Sequence, residues 1–212
     1  MQTIKSYLIG GSRKKMTEVN HREYVGGDWD NIGDWQMKTL KQLPEFDIDK
    51  KFLDIACGSL RLGVKLIPYL NHGKYFGIDN NYDVLMAGVN QELGAGNNKS
   101  PKFLCNGEFD FSFCGQFDFA WSNSLFSHLN LGDITNCMKQ LRKVAHDDSV
   151  FYYTFFNGNS STNPLHSNAR KDFRYNIDEL RPTAENWNLE FLGAKFHHPR
   201  GQHIVRCTPK RL

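Results

Sequence analysis

This sequence lacks several features that would assign a chain to a broad class of protein. No apolar run approaches the ~20 residues that a membrane-spanning helix needs. The start of the chain has no hydrophobic signal-peptide region and no small-residue cleavage site. The net charge is only +3, whereas duplex nucleic acid usually demands a concentrated basic stripe. We therefore expect a cytoplasmic protein that contacts neither a membrane nor nucleic acid.

Cysteine is also scarce, and its spacing argues against two kinds of site. The cysteines number 5, an odd count, and no C-x-x-C pair occurs. Most of them fall in predicted strands or on the apolar face of a predicted helix, which favours reduced, buried thiols. No cluster of histidine, cysteine and carboxylate residues has metal-ligand spacing. The sequence therefore predicts chemistry without a metal ion.

The length of the chain limits the number of domains. With 212 residues, of which 40% are hydrophobic, one substantial core is expected and a second is improbable. Residues 1–45 precede the first predicted strand and contain two tryptophans, a Gly-Gly pair and a short helical pattern. We interpret residues 1–45 as an N-terminal helical cap and residues 46–212 as the main domain.

The most informative stretch is residues 52–63, where an apolar run leads into a small-residue turn. This run contains Asp54 near its end, and a second apolar segment ends in another acid, Asp79. This is the layout of a nucleotide-binding βαβ unit, in which small residues let backbone amides approach a ligand. The acid that closes the second strand is placed to accept hydrogen bonds from ribose hydroxyls. The pattern predicts a bound adenosine-type cofactor.

Two common phosphate-binding turns do not fit this stretch. A dinucleotide turn needs glycine at its first, third and sixth positions, which here are Ala56, Gly58 and Arg61. A P-loop is excluded because no Gly-Lys-Ser/Thr follows the strand. Asp54 would repel phosphates but would suit a cationic amino-acid group.

Residues 53–59, Leu-Asp-Ile-Ala-Cys-Gly-Ser, resemble motif I of the class I S-adenosylmethionine-dependent methyltransferases. Ala56 and Leu60 replace the first and third glycines of that motif, and Leu60 predicts a turn that becomes helix earlier than usual, with Arg61 in its first turn. The resemblance spans roughly residues 50–208. It implies an α/β fold, namely a doubly wound, mostly parallel seven-stranded sheet with a C-terminal antiparallel hairpin.

The order of later elements agrees with this topology. Residues 133–144 carry apolar side chains at helical spacing, and residues 147–156 read as a turn followed by a fully buried strand. Two apolar segments, 189–196 and 203–207, flank a turn-rich stretch and predict the hairpin. The polar tract 157–164 follows the fifth strand, so we predict a mobile loop over the acceptor site.

The resemblance also implies the site for S-adenosylmethionine. The first acid and the amides of the turn would hold the methionine part, and the second acid would hold the ribose diol. The end of the third strand would contact adenine, and the tip of the fourth would lie beside the transferred methyl group. The residues assigned to the cofactor in this way are Asp54, Ala56, Cys57, Gly58, Arg61, Asp79, Asn80, Asn106, Gly107, Glu108, Phe109 and Ser122.

Methyl transfer from a sulfonium needs alignment, and a hydroxyl or protonated amine acceptor also needs a base. His128, just beyond the fourth predicted strand, is the best candidate base because its intrinsic pKa suits proton transfer near neutral pH. The alternative is a structural histidine that bridges a loop and a helix.

Several cap and loop residues are candidates for acceptor binding. An anionic acceptor would suit the arginines, although an exposed helix face explains them equally well, and the cap tryptophans could simply pin the cap helix to the core. The predicted acceptor-binding residues are His21, Trp29, His166, Arg170 and Arg174.

The leading interpretation is methyl transfer to a small polar metabolite by a monomer or homodimer. The string from His21 to Gln36, with residues 58–61, resembles a bacterial subset associated with surface-glycan or small-metabolite modification. O-methylation of a sugar, sugar nucleotide or glycan precursor is therefore slightly favoured. The alternatives are N-methylation of a small amine, methylation of RNA or protein, and a non-catalytic cofactor-binding protein. The sequence lacks the Asn/Asp-Pro-Pro-Tyr-like tetrad that would support methylation of RNA or protein, since residues 122–125 are Ser-Asn-Ser-Leu.

Overall fold

Strands and helices alternate along the chain from residue 52 onward. The computed structural model describes residues 20–94 and 98–211. The strands are β1 Phe52–Ile55, β2 Tyr75–Asp79, β3 Lys102–Cys105, β4 Phe117–Ser122, β5 Ala145–Asn157, β6 Arg174–Tyr175, β7 Trp187–Gly193 and β8 His203–Pro209. The α-helices are α1 His21–Tyr24, α2 Trp29–Leu40, α3 Gly63–Tyr69, α4 Tyr82–Ala87, α5 Leu131–Lys143 and α6 Ile177–Leu180, with a π-helical segment, Gly88–Glu92, after α4.

The strands form one sheet in the order β3-β2-β1-β4-β5-β8-β7. Neighbouring strands from β3 to β5 are parallel, whereas β8 is antiparallel to both β5 and β7. The predicted mostly parallel sheet with a C-terminal antiparallel hairpin is confirmed. The two-residue strand β6, which pairs with β5 off the main path, was not predicted.

Both faces of the sheet are covered because successive side chains of each central strand point to opposite sides. Phe52 and Tyr152 pack on one face with residues of α2 and α3. Leu53 and Phe151 pack on the other face with the apolar stripe of α5. This alternation explains why the central strands are apolar throughout, as expected for a parallel sheet buried on both sides.

Asp54 interrupts that apolar pattern near the end of β1. Its register partner in β2 is Gly77, so Asp79 lies two residues further along the neighbouring strand. Both carboxylates therefore lie at the carboxyl edge of the sheet, where ligands bind in open α/β folds.

The helix after β1 begins later than the sequence predicted. Residues 58–62 form turns, and α3 begins at Gly63. The reason is that Leu60 has φ of 67°, a left-handed conformation through which a right-handed helix cannot continue. The prediction of an early helix at Leu60 is wrong, and Arg61 lies in a turn instead of the first helical turn.

The described part of the cap is helical, as predicted, and is attached to the main fold at several points. Leu40 and Leu43 are buried in the core that contains Phe52. The Trp35 Nε1 donates a hydrogen bond to the carbonyl of Phe196, 2.6 Å away. Residues 1–19 of the predicted cap lie outside the described residues, and the division at residue 45 stays a prediction. Within the described ranges, no helix has the length and apolar character to cross a membrane.

Candidate functional site

A cavity of about 520 Å³ opens at the carboxyl edge of the sheet, beside the ends of β1, β2 and β4. The cap, the segment after β4 and the β7–β8 connection also contribute to its walls. Most of the residues singled out from the sequence come together here. Those that line the cavity are Asp54, Ala56, Cys57, Gly58, Arg61, Asp79, Asn80, Asn106, Gly107, Phe109, His128 and Arg170.

The turn after β1 brings backbone amides to the cavity through left-handed residues. Ala56 has φ of 60° and Gly58 has φ of 57°. A Cβ on Gly58 would lie 3.3 Å from Val25 Cγ1, so a side chain here would crowd the cap as well as strain the backbone. The Gly58 N–H donates to Asp79 Oδ2 at 2.8 Å. The ends of β1 and β2 are thus tied to each other at the cavity wall.

Asp79 also accepts a hydrogen bond from the Asn81 N–H, which lies 2.9 Å from Oδ1. A carboxylate offers about four lone-pair positions. The carboxylate is therefore held in place by backbone donors while it lines the cavity.

Asp54 is only 3% exposed and shares the cavity wall with Asp79. Burial raises the pKa of Asp54 to about 7, a rise that the Tyr75 hydrogen bond opposes and the Asp79 charge reinforces. The Tyr75 hydroxyl donates to Asp54 Oδ2 at 2.6 Å. A cationic group bound beside this carboxyl would favour its ionised form.

A buried polar network supports the end of β4. His198 Nε2 donates to Asn123 Oδ1 at 3.0 Å, and His198 Nδ1 accepts from the Arg200 N–H at 3.0 Å. Burial lowers the pKa of His198 to about 3, and the charges of Arg61 and Arg200 contribute to this. His198 is therefore neutral at physiological pH and acts as a structural bridge between β4 and the β7–β8 connection.

His128 lines the cavity and is oriented by the chain segment opposite it. Its Nδ1 lies 2.9 Å from the Lys171 carbonyl, and its own carbonyl accepts from the Asn168 N–H at 2.8 Å. A carbonyl oxygen can only accept, so Nδ1 carries the proton of the neutral ring and Nε2 is the basic nitrogen. The structural and catalytic interpretations of His128 are thus compatible.

One wall of the cavity is formed by Ser167–Arg170 and Asp172 and not by the predicted loop 157–164. Ser167 donates to Asp133 Oδ2 and accepts from the Asn130 N–H at 2.8 Å, which ties this wall to the start of α5. Residues 157–164 contain a 3-10 turn, and Asn163 makes two hydrogen bonds to the backbone of Arg174. That pairing places the predicted loop beside β6, and none of its residues lines the cavity.

Six predicted site residues lie outside the cavity lining. Ser122 is buried and donates to the Ile55 carbonyl at 3.1 Å. His21 is buried and contacts the Trp29 ring at 5.6 Å, so both belong to the packing of the cap. The remaining three, Glu108, His166 and Arg174, are exposed.

Other cavity residues were not found from the sequence, although topology offered a signal for some of them. Because β7 runs parallel to β5, the connection that follows β7 must lie at the carboxyl edge, and this places Arg200 at the cavity. The sequence offered no comparable signal for Gln36, which accepts a hydrogen bond from Trp121 Nε1 at 2.8 Å. The other cavity residues missed include Tyr24, Val25, Gly26, Asn123, Ser124, Asp133, Ser167, Asn168 and Asp172.

All five cysteines are free thiols. Within residues 20–94 and 98–211, no group of three or more histidine, cysteine or carboxylate side chains is arranged to hold a metal ion.

No protein-family model matches the chain. Solved structures do resemble it. An S-adenosylmethionine-dependent methyltransferase from Clostridium acetobutylicum superposes with a TM-score of 0.63 at 11% identity, covering 89% of this chain and 95% of that one. Magnesium protoporphyrin IX methyltransferase from Synechocystis, with bound S-adenosylhomocysteine, superposes with a TM-score of 0.63 at 13% identity, covering 90% of this chain and 93% of that one. The glycopeptide N-methyltransferase MtfA, complexed with S-adenosylhomocysteine, superposes with a TM-score of 0.65 at 10% identity, covering 85% of this chain and 90% of that one. This chain has the fold of the class I methyltransferases.

Proposed function

We propose that this protein is an S-adenosylmethionine-dependent methyltransferase that acts on a small polar acceptor. The observation that carries the proposal is the pair of carboxylates, Asp54 and Asp79, at the ends of adjacent parallel strands. Between them lies a left-handed turn at Gly58. In this fold, that arrangement fits the two ends of an amino-acid nucleoside.

The residues present fit this cofactor. Asp79 would accept hydrogen bonds from the ribose hydroxyls, and Asp54 would face the cationic amino group. Asn106 and Phe109, in the segment that follows β3, would contact the adenine. Ser59 lines the cavity, and its buried Oγ has no hydrogen-bond partner among the described residues, as expected beside a ligand. When bound, S-adenosylmethionine supplies a methyl group on a sulfonium whose leaving group needs no protonation.

The protein's own contribution is to orient the acceptor and take its proton. Good alignment in a dry site contributes up to ~7–11 kcal/mol, and a base adds about 10²–10⁴-fold. His128 is placed for that role because its Nδ1 is held by the Lys171 carbonyl, which leaves Nε2 as the proton acceptor. His128 is therefore the proposed general base.

Ser124, Asn168 and Arg170 line the cavity. Their polar side chains favour a hydroxylated metabolite as the acceptor. O-methylation of a sugar, sugar nucleotide or related surface-glycan precursor is the leading proposal. N-methylation of a small amine is the second, since Asp133 and Asp172 also line the cavity and could bind a protonated amine.

Calorimetric titration with S-adenosylmethionine and S-adenosylhomocysteine tests the proposal. Asp79→Ala should weaken the binding of both ligands by about 1.5–3 kcal/mol, which raises Kd roughly 10- to 150-fold. The reason is that charged hydrogen-bond acceptors for the ribose are lost. Asp118→Asn is the matched control. Asp118 likewise accepts a backbone N–H, that of Lys51 at 2.7 Å, but it lies at the start of β4, outside the cavity.

Asp118→Asn should leave both affinities within about twofold of the wild-type values. Equal affinities for wild type and Asp79→Ala would refute the ribose assignment. Absence of binding to the folded wild-type protein would refute the proposed function as a whole.

A further inference from the structure

Two arginines from distant parts of the chain meet at one turn of the cap. Arg61 follows β1, and its Nη1 donates to the Gly27 carbonyl at 3.3 Å. Arg200 belongs to the β7–β8 connection, and its Nη2 donates to the adjacent Gly26 carbonyl. Both side chains also line the cavity. Three separate elements thus bring two guanidinium groups to one side of the site.

Among the residues that the structure describes, no carboxylate lies within ion-pair distance of either guanidinium. Burial lowers the pKa of Arg61 to about 10, and the positive charge of Arg200 contributes to this decrease. The charges of Asp28 and Asp54 act in the opposite direction. Two like charges beside a cavity repel each other, and an anion placed between them would offset that cost.

The neighbouring side chain does not supply that anion. His198 lies close enough for both arginines to lower its pKa, and it stays neutral. Each guanidinium carries five N–H donors, and each makes a single side-chain hydrogen bond among the described residues. The remaining donors suit the two oxygens of a carboxylate or phosphate, which arginine binds bidentately.

We propose that Arg61 and Arg200 form a clamp that binds an oxyanion, a carboxylate or phosphate, in the cavity. The identity of its ligand rests on the proposed function. The oxyanion has two possible sources, the carboxylate at the amino-acid end of the cofactor and an acidic group on the acceptor.

Calorimetry on the full chain distinguishes the two sources with three probes. The first probe is S-adenosylhomocysteine, and the second is S-adenosyl-3-thiopropylamine, the same molecule without its carboxylate. The third is inorganic phosphate, titrated into protein saturated with S-adenosylhomocysteine. Each probe is applied to wild type, Arg61→Met and Arg200→Met, with Arg181→Met as the control, since Arg181 is exposed and pairs with Asp178 at 3.2 Å. Arg200 is exposed, so its variant should fold even if Arg61→Met does not.

If the clamp binds the cofactor carboxylate, both variants should lower the affinity for S-adenosylhomocysteine by about tenfold or more. Their affinity for S-adenosyl-3-thiopropylamine should stay within about twofold of the wild-type value. An acceptor oxyanion predicts unchanged S-adenosylhomocysteine binding and loss of phosphate binding in both variants. Either result supports the clamp, and Arg181→Met should resemble wild type throughout.

The clamp proposal is overturned if the variants change the affinities for both nucleosides by the same factor and phosphate binding is absent or unaffected. An equal change would show that the arginines only hold the cap in place. If wild type binds no nucleoside, the proposed function fails separately, and phosphate is titrated into the free protein. Loss of phosphate binding in Arg200→Met would then support the clamp, and absence of phosphate binding to wild type would overturn it.

Discussion

At the scale of single residues, burial decides the charge of the carboxyl group at the end of β1. Asp54 lies on the face of the sheet that packs against α2 and α3, and it accepts a hydrogen bond from the Tyr75 hydroxyl. Its pKa of about 7 in the folded chain exceeds its usual value because the ionised form is buried. The ligand site is therefore built partly at the expense of stability.

The stability of the free protein should depend on pH through this residue. A raised folded-state pKa means that the contribution of Asp54 is fully present below about pH 4 and is lost as pH rises through about 7. From about pH 5 to pH 8, the unfolding free energy of wild type should fall relative to Asp54→Asn by roughly 2.5 kcal/mol. Urea denaturation at several pH values measures the difference.

Asp110→Asn provides the control of opposite sign. Hydrogen bonds from Ser112 lower the pKa of Asp110, so its contribution is lost only in acid. The difference between wild type and Asp110→Asn should stay constant from about pH 5 to pH 8. A constant difference for Asp54→Asn as well would contradict the raised pKa.

His128 should affect turnover without affecting cofactor affinity. With any acceptor that wild type methylates, His128→Ala should lower kcat by about 10²–10⁴-fold because the proton acceptor is lost. The affinity for S-adenosylhomocysteine should not change. His72→Ala, at an exposed histidine that contacts Ser100, should retain wild-type kcat. Unchanged turnover in His128→Ala would exclude the histidine as the base, and loss of folded protein would favour the structural interpretation.

At the scale of elements, a charged latch joins the short helix α1 to the π-helical segment after α4. Arg22 donates two hydrogen bonds to Glu92, each 2.7 Å long, and His21 Nε2 lies 3.1 Å from the same carboxylate. Tyr24 and Gly26, which follow this contact, line the cavity. The latch therefore positions the part of the cap that covers the site.

Glu92→Gln should loosen this part of the cap. Losing charge-assisted hydrogen bonds costs about 1.5–3 kcal/mol, so amide hydrogen exchange in residues 21–27 should accelerate by roughly 10-fold or more. Asp178→Asn removes an exposed ion pair with Arg181 and should leave exchange in this segment unchanged. Unaltered exchange in Glu92→Gln would show that the cap is held mainly by packing at Trp35 and Leu40.

At the scale of the whole molecule, the sequence predicted the parts of the fold that rest on local patterns. Apolar strands alternating with helices imply a parallel sheet, and acids at strand ends must then share one edge, as Asp54 and Asp79 do. The late start of α3 was missed because the left-handed conformation of Leu60 has no signal in residue type. The meeting of Arg61 with Arg200 depends on how three loops fold together, which no local pattern encodes.

The crystal structure of the complex with S-adenosylhomocysteine tests the central claim most directly. We expect the ribose hydroxyls to lie within hydrogen-bond distance of the Asp79 carboxylate, with the amino group beside Asp54. A complex in which the nucleoside binds elsewhere, or in which side chains block the cavity of the otherwise folded chain, would contradict the account.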